Sequence, residues 1–199
     1  MAAKPIIAVF DFDDTLITRD SLVDFLRYTT SKRVFFVKLL RVLPTLVRFA
    51  AGRLDRSKAK ERLLGIFFAG KSDETFGEFC KAYAARLDSI ANQDGLARIA
   101  WHQDRGDRVL IISASVEDWI RPWAERHGVH TVLATRLGRE HGKLTGRLDG
   151  RNCYGQEKVN RLLQEYPDRD SYELYAYGDG KSDAYIFKEA DHVFQKRFA

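Results

Sequence analysis

The sequence is poor in the features that would mark a secreted, fibrous or membrane-spanning chain. Only two cysteines, Cys80 and Cys153, stand among 199 residues. They lie far apart in no metal-ligand spacing, so a reduced, intracellular chain is the simpler reading, with a bridge between them left open. No low-complexity tract and no repeat at a fixed period is present. The 33 basic residues outnumber the 28 acidic ones, for a formal charge of +5, but they are spread from Lys4 to Arg197 without a run of five or more. Nucleic-acid binding is therefore not expected, and the charge suits anionic substrates or anionic lipid equally well. The chain opens Met-Ala-Ala-Lys-Pro and enters an apolar run at once, without the order of a signal peptide, so a cytoplasmic location is expected. Long apolar runs are also lacking. The nearest, Val34 to Ala51, carries Lys38, Arg41 and Arg48 with Pro44 in its middle, too interrupted for the ~20 apolar residues of a spanning helix.

What is there is a domain with a sizeable core. Hydrophobic residues make up 45% and charged residues 31%, the balance of a soluble globular protein. Short apolar runs at Pro5 to Phe10, Arg108 to Ile112, Val129 to Ala134, Tyr172 to Tyr177 and Val193-Phe194 read as strands. Between them, Asp94 to Arg105, Val116 to His127 and Gln156 to Tyr166 read as helices closed by Gly106, Gly128 and Pro167. Such alternation predicts an α/β fold, a Rossmann-like parallel sheet with helices on both faces, whose ligands sit at the carboxyl ends of the strands. From Ser21 to Leu87 no strand is evident. The expected organisation is a core of residues 1–20 and 88–199 interrupted by a helical insertion over 21–87.

Charge collects at the expected strand ends. Asp11 and Asp13 are two apart behind the first strand, so their side chains share a side in extended geometry. Carboxylates that close repel unless a cation neutralises them, and Mg²⁺ suits such a pair. Gly178-Asp179-Gly180-Lys181-Ser182-Asp183 offers further carboxylates behind another strand. Ser113, at a third strand end, supplies a hydroxyl, and Ala114 and Ser115 lead into a helix whose N–H groups suit an anion. Lys158, near the start of a helix, supplies positive charge. The bland alternatives are a capping acidic turn for Asp11 and Asp13, a strand terminus for Ser113, a solvated helix residue for Lys158 and an Asp-Gly turn for Asp179 and Asp183. Asp14 is expected to face solvent, and His102, His127, His130, His141 and His192 fall in no ligand spacing.

The order Asp-Phe-Asp-Asp-Thr, Ile-Ile-Ser, Lys158 and Gly-Asp-Gly-Lys-Ser-Asp resembles the four motifs of the haloacid dehalogenase superfamily of phosphatases. The helical insertion resembles the cap of its phosphoserine-phosphatase-like subgroup. The resemblance implies that Asp11 is a nucleophile forming an aspartyl-phosphate, and that Asp13 is the acid and base. It implies that Thr15, Ser113 and Lys158 hold phosphoryl oxygens, and that Mg²⁺ is bound by Asp11, the main-chain carbonyl of Asp13, and Asp179, with Asp183 acting just beyond the metal's direct ligands or as a ligand through water. Because the dehalogenases lack the second aspartate, Asp13 favours phosphoryl chemistry.

The substrate is less sharply indicated. Phosphoserine phosphatases read the substrate amino group with a glutamate shortly after the first motif. The matching position here is Asp20, one methylene shorter, so a small organic phosphate is expected and phosphoserine is one candidate. Lys181 replaces a small uncharged residue; solvent exposure is expected, contact with an anionic substrate being the alternative. Val34 to Ala51 either packs within the cap or lies at a membrane interface, the latter resembling the cap of bacterial phosphatidylglycerophosphate phosphatases. A lipid phosphate at the cytoplasmic membrane face is thus the alternative substrate. A catalytically silent binding module is a third reading, opposed by the intact set of motif residues.

Overall fold

A computed structural model of the chain describes residues 4–180, 182–196 and 198. Strand β1 (Ile6–Phe10) lies inside a six-stranded sheet of order β4-β3-β2-β1-β5-β6. The others are β2 (Arg108–Val116), β3 (Thr131–Glu140), β4 (Lys143–Asp149), β5 (Glu173–Gly178) and β6 (His192–Gln195). The side-chain period of two divides β1 between the faces: Ala8 and Phe10 join one apolar cluster, Ile7 and Val9 the other. Burial on both faces is why this strand reads as an unbroken apolar run. Helices α5 (Gln93–Asp104) and α6 (Glu117–Arg126) contribute Ile99, Trp119 and Trp123 to the first face. Helices α7 (Gln156–Glu165) and α8 (Ala184–Glu189) cover the second with Val159, Leu162 and Ile186.

The expected α/β fold is present, its strands β3-β2-β1-β5-β6 pairing in parallel, and two details differ. The sheet is mixed, because β4, absent from the sequence reading, pairs antiparallel with β3. Its two-residue turn, His141-Gly142, has φ of 50° and 71°. Hairpin turns of this kind need positive φ at both positions, and histidine there gives no Asn-Gly signal. Strand β2 also runs past Ser113 to Val116, and its pairing with β3 shifts register between those two residues. Ser113 therefore sits at an irregularity within a strand, where β2 bends, and not at a strand terminus.

Helices α1 (Ser21–Tyr28), α2 (Lys32–Ala50), α3 (Arg56–Phe68) and α4 (Asp73–Asp88) fill the chain between β1 and α5. Each begins behind a side chain that accepts a hydrogen bond from the first turn: Asp20, Ser31, Asp55 and Ser72. Such a cap satisfies an N–H that has no helical partner and is worth ~1 kcal/mol. Phe25, Phe67, Phe68, Phe76 and Tyr83 of these helices share one apolar cluster with Phe10, Phe12 and Trp119. Asp24 is gripped by Arg86 at 2.8 and 2.6 Å and by the Tyr83 hydroxyl at 2.9 Å, tying α1 to α4. Burial opposes the Asp24 charge, but these bonds outweigh it and hold its carboxyl below the usual range.

Helix α3 meets the β3–β4 hairpin backbone to backbone. A Cβ at Gly146, where φ is +77°, would run into the Cα of Gly65. The contact needs glycine for space as well as for conformation.

Helix α2 is different, since only Val42 and Thr45 along its 19 residues are buried. Among the described residues no helix is long and apolar enough to cross a membrane.

Candidate active site

Four chain segments converge at the carboxyl end of β1. Asp11, the first residue past the strand, is fixed by its own N–H donating to the carbonyl of Tyr177 on β5 at 2.8 Å. Lys158, in the first turn of α7 and 1% exposed, places its ammonium 2.7 Å from Asp11 Oδ1 and 2.6 Å from Asp183 Oδ1. The second oxygen of Asp183 accepts from the N–H groups of Asp179 at 3.2 Å and Gly180 at 3.4 Å. That arrangement requires Gly178, because a Cβ there would lie 2.5 Å from Asp183 Oδ2.

Oxygens of Asp11, Asp179 and Asp183 lie within 4.8 Å of one another. One ammonium therefore faces three carboxylates. Burial pushes the Asp11 carboxyl up to about 7, which Lys158 offsets only in part while Asp183 adds to it. Burial and the neighbouring Asp183 also raise Asp179. Lys158 is held above its usual range by Asp11 and Asp183 despite its burial. Asp179 Oδ1 is buried without a partner among the described residues. A hard divalent cation fits this all-oxygen set, since it would lower the raised carboxyls and engage the orphaned oxygen.

The side chain of Asp13 turns away from that cluster, which leaves only its main chain for a cation. Its Oδ1 accepts from Ser21 N–H at 2.8 Å, and its Oδ2 accepts from the Ser115 hydroxyl. Ser115 in turn accepts from Ser21 Oγ at 2.9 Å, and Ser21 accepts from Trp119 Nε1 at 3.1 Å. An indole N–H can only donate, so the direction of the whole chain is set toward the carboxylate. Burial first and Asp20 second raise the Asp13 carboxyl, while the bonds from Ser115 and Ser21 pull it down.

Two residues expected to contact the phosphoryl group, Thr15 and Ser113, are both buried. Thr15 is 5% exposed and its hydroxyl has no partner among the described residues. Its carbonyl accepts from Asn92 Nδ2 at 3.1 Å. Ser113 is buried, and its hydroxyl oxygen accepts from Ser115 N–H at 3.0 Å. Asp14 is exposed in the left-handed region at φ 54°, as its expected solvent position requires. Asp20 is exposed and caps α1 through Val23 N–H at 3.0 Å. Lys181 lies outside the described residues.

Sequence reasoning missed Lys60. From α3 it donates to the carbonyl of Ala114, next to Ser113, and to Asn152 Oδ1 at 3.1 Å. Burial pulls its ammonium down to about 8, against the attraction of Asp13 and Asp20. Nothing local distinguishes Lys60 from the other cations of an amphipathic helix; only the tertiary fold carries it to the site.

Comparisons with known proteins bear on the family and the fold. The family described as haloacid dehalogenase-like hydrolase matches residues 8–188. Protein CicA of Caulobacter vibrioides is 31% identical over 193 residues, 96% of this chain and 86% of that protein. A protein of unknown function from Bordetella pertussis superposes with a TM-score of 0.85 at 23% identity, covering 97% of this chain and 90% of its own. A substrate-bound phosphoserine phosphatase superposes with a TM-score of 0.64 at 18% identity, over 97% and 86%. The chain therefore belongs to the haloacid dehalogenase-like hydrolase family and is an enzyme with the fold of the phosphoserine phosphatases.

Proposed function

We propose that this hydrolase is a phosphatase that cleaves phosphomonoesters through a phosphorylated Asp11, with α1 to α4 serving as a cap over the site. The carrying observation is the placement of Asp11 between a buried lysine and two further carboxylates, with a separately held carboxylate, Asp13, beside it. A carboxylate oxygen of Asp11 attacks phosphorus, the P–O bond to the alcohol breaks, and the Asp13 carboxyl gives its proton to the departing oxygen. Asp13, now a carboxylate, takes a proton from water, which attacks the same phosphorus. The bond to Asp11 breaks, releasing inorganic phosphate and restoring the Asp11 carboxylate. Thr15, Ser113 and Lys158 would hold the phosphoryl oxygens as charge moves across them. Mg²⁺ would be held by Asp11, Asp179, Asp183 and the Asp13 carbonyl, and when bound supplies charge neutralisation between phosphate and carboxylate.

The test is turnover of p-nitrophenyl phosphate with Mg²⁺ and with excess chelator, repeated for Asp11→Asn. We expect activity only with the metal, and a loss of at least ~10³-fold in the variant. Unchanged turnover by Asp11→Asn would sink the nucleophile assignment. The substrate reading is a small organic phosphate, with Asp20 as a specificity residue at the rim. A lipid phosphate is the second reading, favoured by the bare outer side of α2. Comparing phosphoserine with phosphatidylglycerophosphate in one ester screen separates the two.

A further inference from the structure

We infer that the outer face of α2 is a docking surface for an anionic lipid bilayer, on which the helix lies flat. The helix packs onto the protein along one narrow strip, formed by Phe35, Leu39, Val42 and Thr45. On another side, Phe36, Leu40, Leu43 and Val47 follow one another at spacings of four, three and four, which aligns them in a single stripe. They are 63%, 69%, 52% and 59% exposed. A ridge of large apolar side chains standing that far into solvent is unusual on a helix about 28 Å long.

Charge selects the occupant. Between Asp24 and Asp55 the chain has no acidic residue but seven cations: Arg27, Lys32, Arg33, Lys38, Arg41, Arg48 and Arg53. Lys38 is drawn inward, where its ammonium donates to the Phe67 carbonyl at 2.9 Å. Arg41 and Arg48 stay exposed, beside the apolar stripe. Two copies paired through this face would bring the exposed Arg41 and Arg48 of each toward like charges with no acidic residue between them, and a nucleic-acid backbone offers nothing to the stripe. An anionic bilayer satisfies both at once, with apolar groups below the headgroups and arginines among the phosphates. At the start of α2 the stripe runs into a groove of about 560 Å³ lined by Arg27, Lys32, Phe35, Phe36 and Leu39, apolar with a cationic rim, which suits the upper part of an acyl chain.

The inference does not depend on the catalytic reading, and its test uses no substrate. The full chain is centrifuged with vesicles of phosphatidylglycerol and phosphatidylcholine, with vesicles of phosphatidylcholine alone, and without vesicles. We expect pelleting with the mixed vesicles, and binding weaker by about tenfold or more on the neutral ones or in high salt. Leu40→Asn with Leu43→Asn should abolish binding with little change in melting temperature, since both side chains are more than half exposed. Should that pair fail to fold, Arg41→Glu with Arg48→Glu tests the same surface through charge. Three results would overturn the inference: no pelleting with mixed vesicles at low salt, equal binding by a folded variant, or a dimer without vesicle binding that the Leu40 and Leu43 changes dissociate. The last would mean that a second copy covers the face.

Discussion

The ammonium of Lys158 stands almost midway between two carboxylates, 2.7 Å from Asp11 and 2.6 Å from Asp183, with all three side chains buried. Removing the shared cation leaves two uncompensated buried acids. Lys158→Met is expected to abolish turnover and also to change stability strongly near neutral pH, by ~3–5 kcal/mol of destabilisation before any protonation of the acids relieves it. Urea titration of wild type and variant measures this; part of the stability should return at lower pH, where Asp11 takes up a proton. Equal stability at all pH values would refute a structural role for the pair.

The chain from Trp119 through Ser21 and Ser115 ends on the carboxylate of Asp13, and every bond in it donates toward that carboxylate. Ser115→Ala deletes the last donor, which raises the Asp13 carboxyl further. The acidic limb of the pH–rate profile for hydrolysis should therefore move to higher pH, and Trp119→Phe should move it the same way by less. Profiles measured with Mg²⁺ held constant decide this; a limb that stays in place would show that Asp13 is not the group titrating.

Leaving-group dependence separates the two duties proposed for Asp13. Asp13→Asn should lose more activity on an alkyl phosphate than on p-nitrophenyl phosphate, whose phenolate departs without much protonation. Equal losses would place its role in activating water.

Beneath the site, His102 donates from Nδ1 to Asp107 at 2.8 Å, and its Nε2 accepts from the Tyr177 hydroxyl at 2.9 Å. Burial holds this histidine below its usual 6.5, although Asp107 pulls the other way, and a proton on Nε2 would remove the acceptor that Tyr177 uses. Its folded value being depressed, stability from this group is complete above 6.5 and declines as pH falls toward the folded value, where the unfolded chain binds the proton first. His102→Gln should flatten that decline below about pH 6.5 in urea melts. A wild-type slope unaltered by the change would assign the effect elsewhere.

Gly178→Ala should weaken cation binding by displacing Asp183. The added Cβ pushes Asp183 away from Lys158 and from the Asp179 N–H, and Mg²⁺ needed for half-maximal rate should rise by about tenfold or more. A Mg²⁺ titration of initial rates reads this directly.

Asp11, Asp179 and Lys158 were legible because each sits at a strand or helix boundary marked by apolar periodicity and glycine, so place in the chain already implies place in space. Ser113 was found for its hydroxyl but misplaced, since the register shift that bends β2 leaves no mark in its composition. Strand β4 escaped because its residues, Lys143–Asp149, are largely polar and its turn uses histidine. Lys60 and the Trp119–Ser21–Ser115 chain were invisible for a deeper reason: their partners are 54 to 98 residues away. The amphipathic character of Val34 to Ala51 was readable, but not that Lys38 turns inward while the ridge from Phe36 to Val47 faces out.

The close approach of Gly65 and Gly146 also has a mechanical meaning. Helix α3 is pinned there to the hairpin by shape, and about one and a half turns earlier Lys60 pins it to the Ala114 carbonyl by charge. A rod fixed at two points cannot rotate about either, so α3 does not behave as a swinging door. Entry and exit of substrate then fall to α2, which is held along one strip only, or to withdrawal of the Lys60 side chain itself. Release of that single lysine would be felt at the Ala114 carbonyl, next to Ser113.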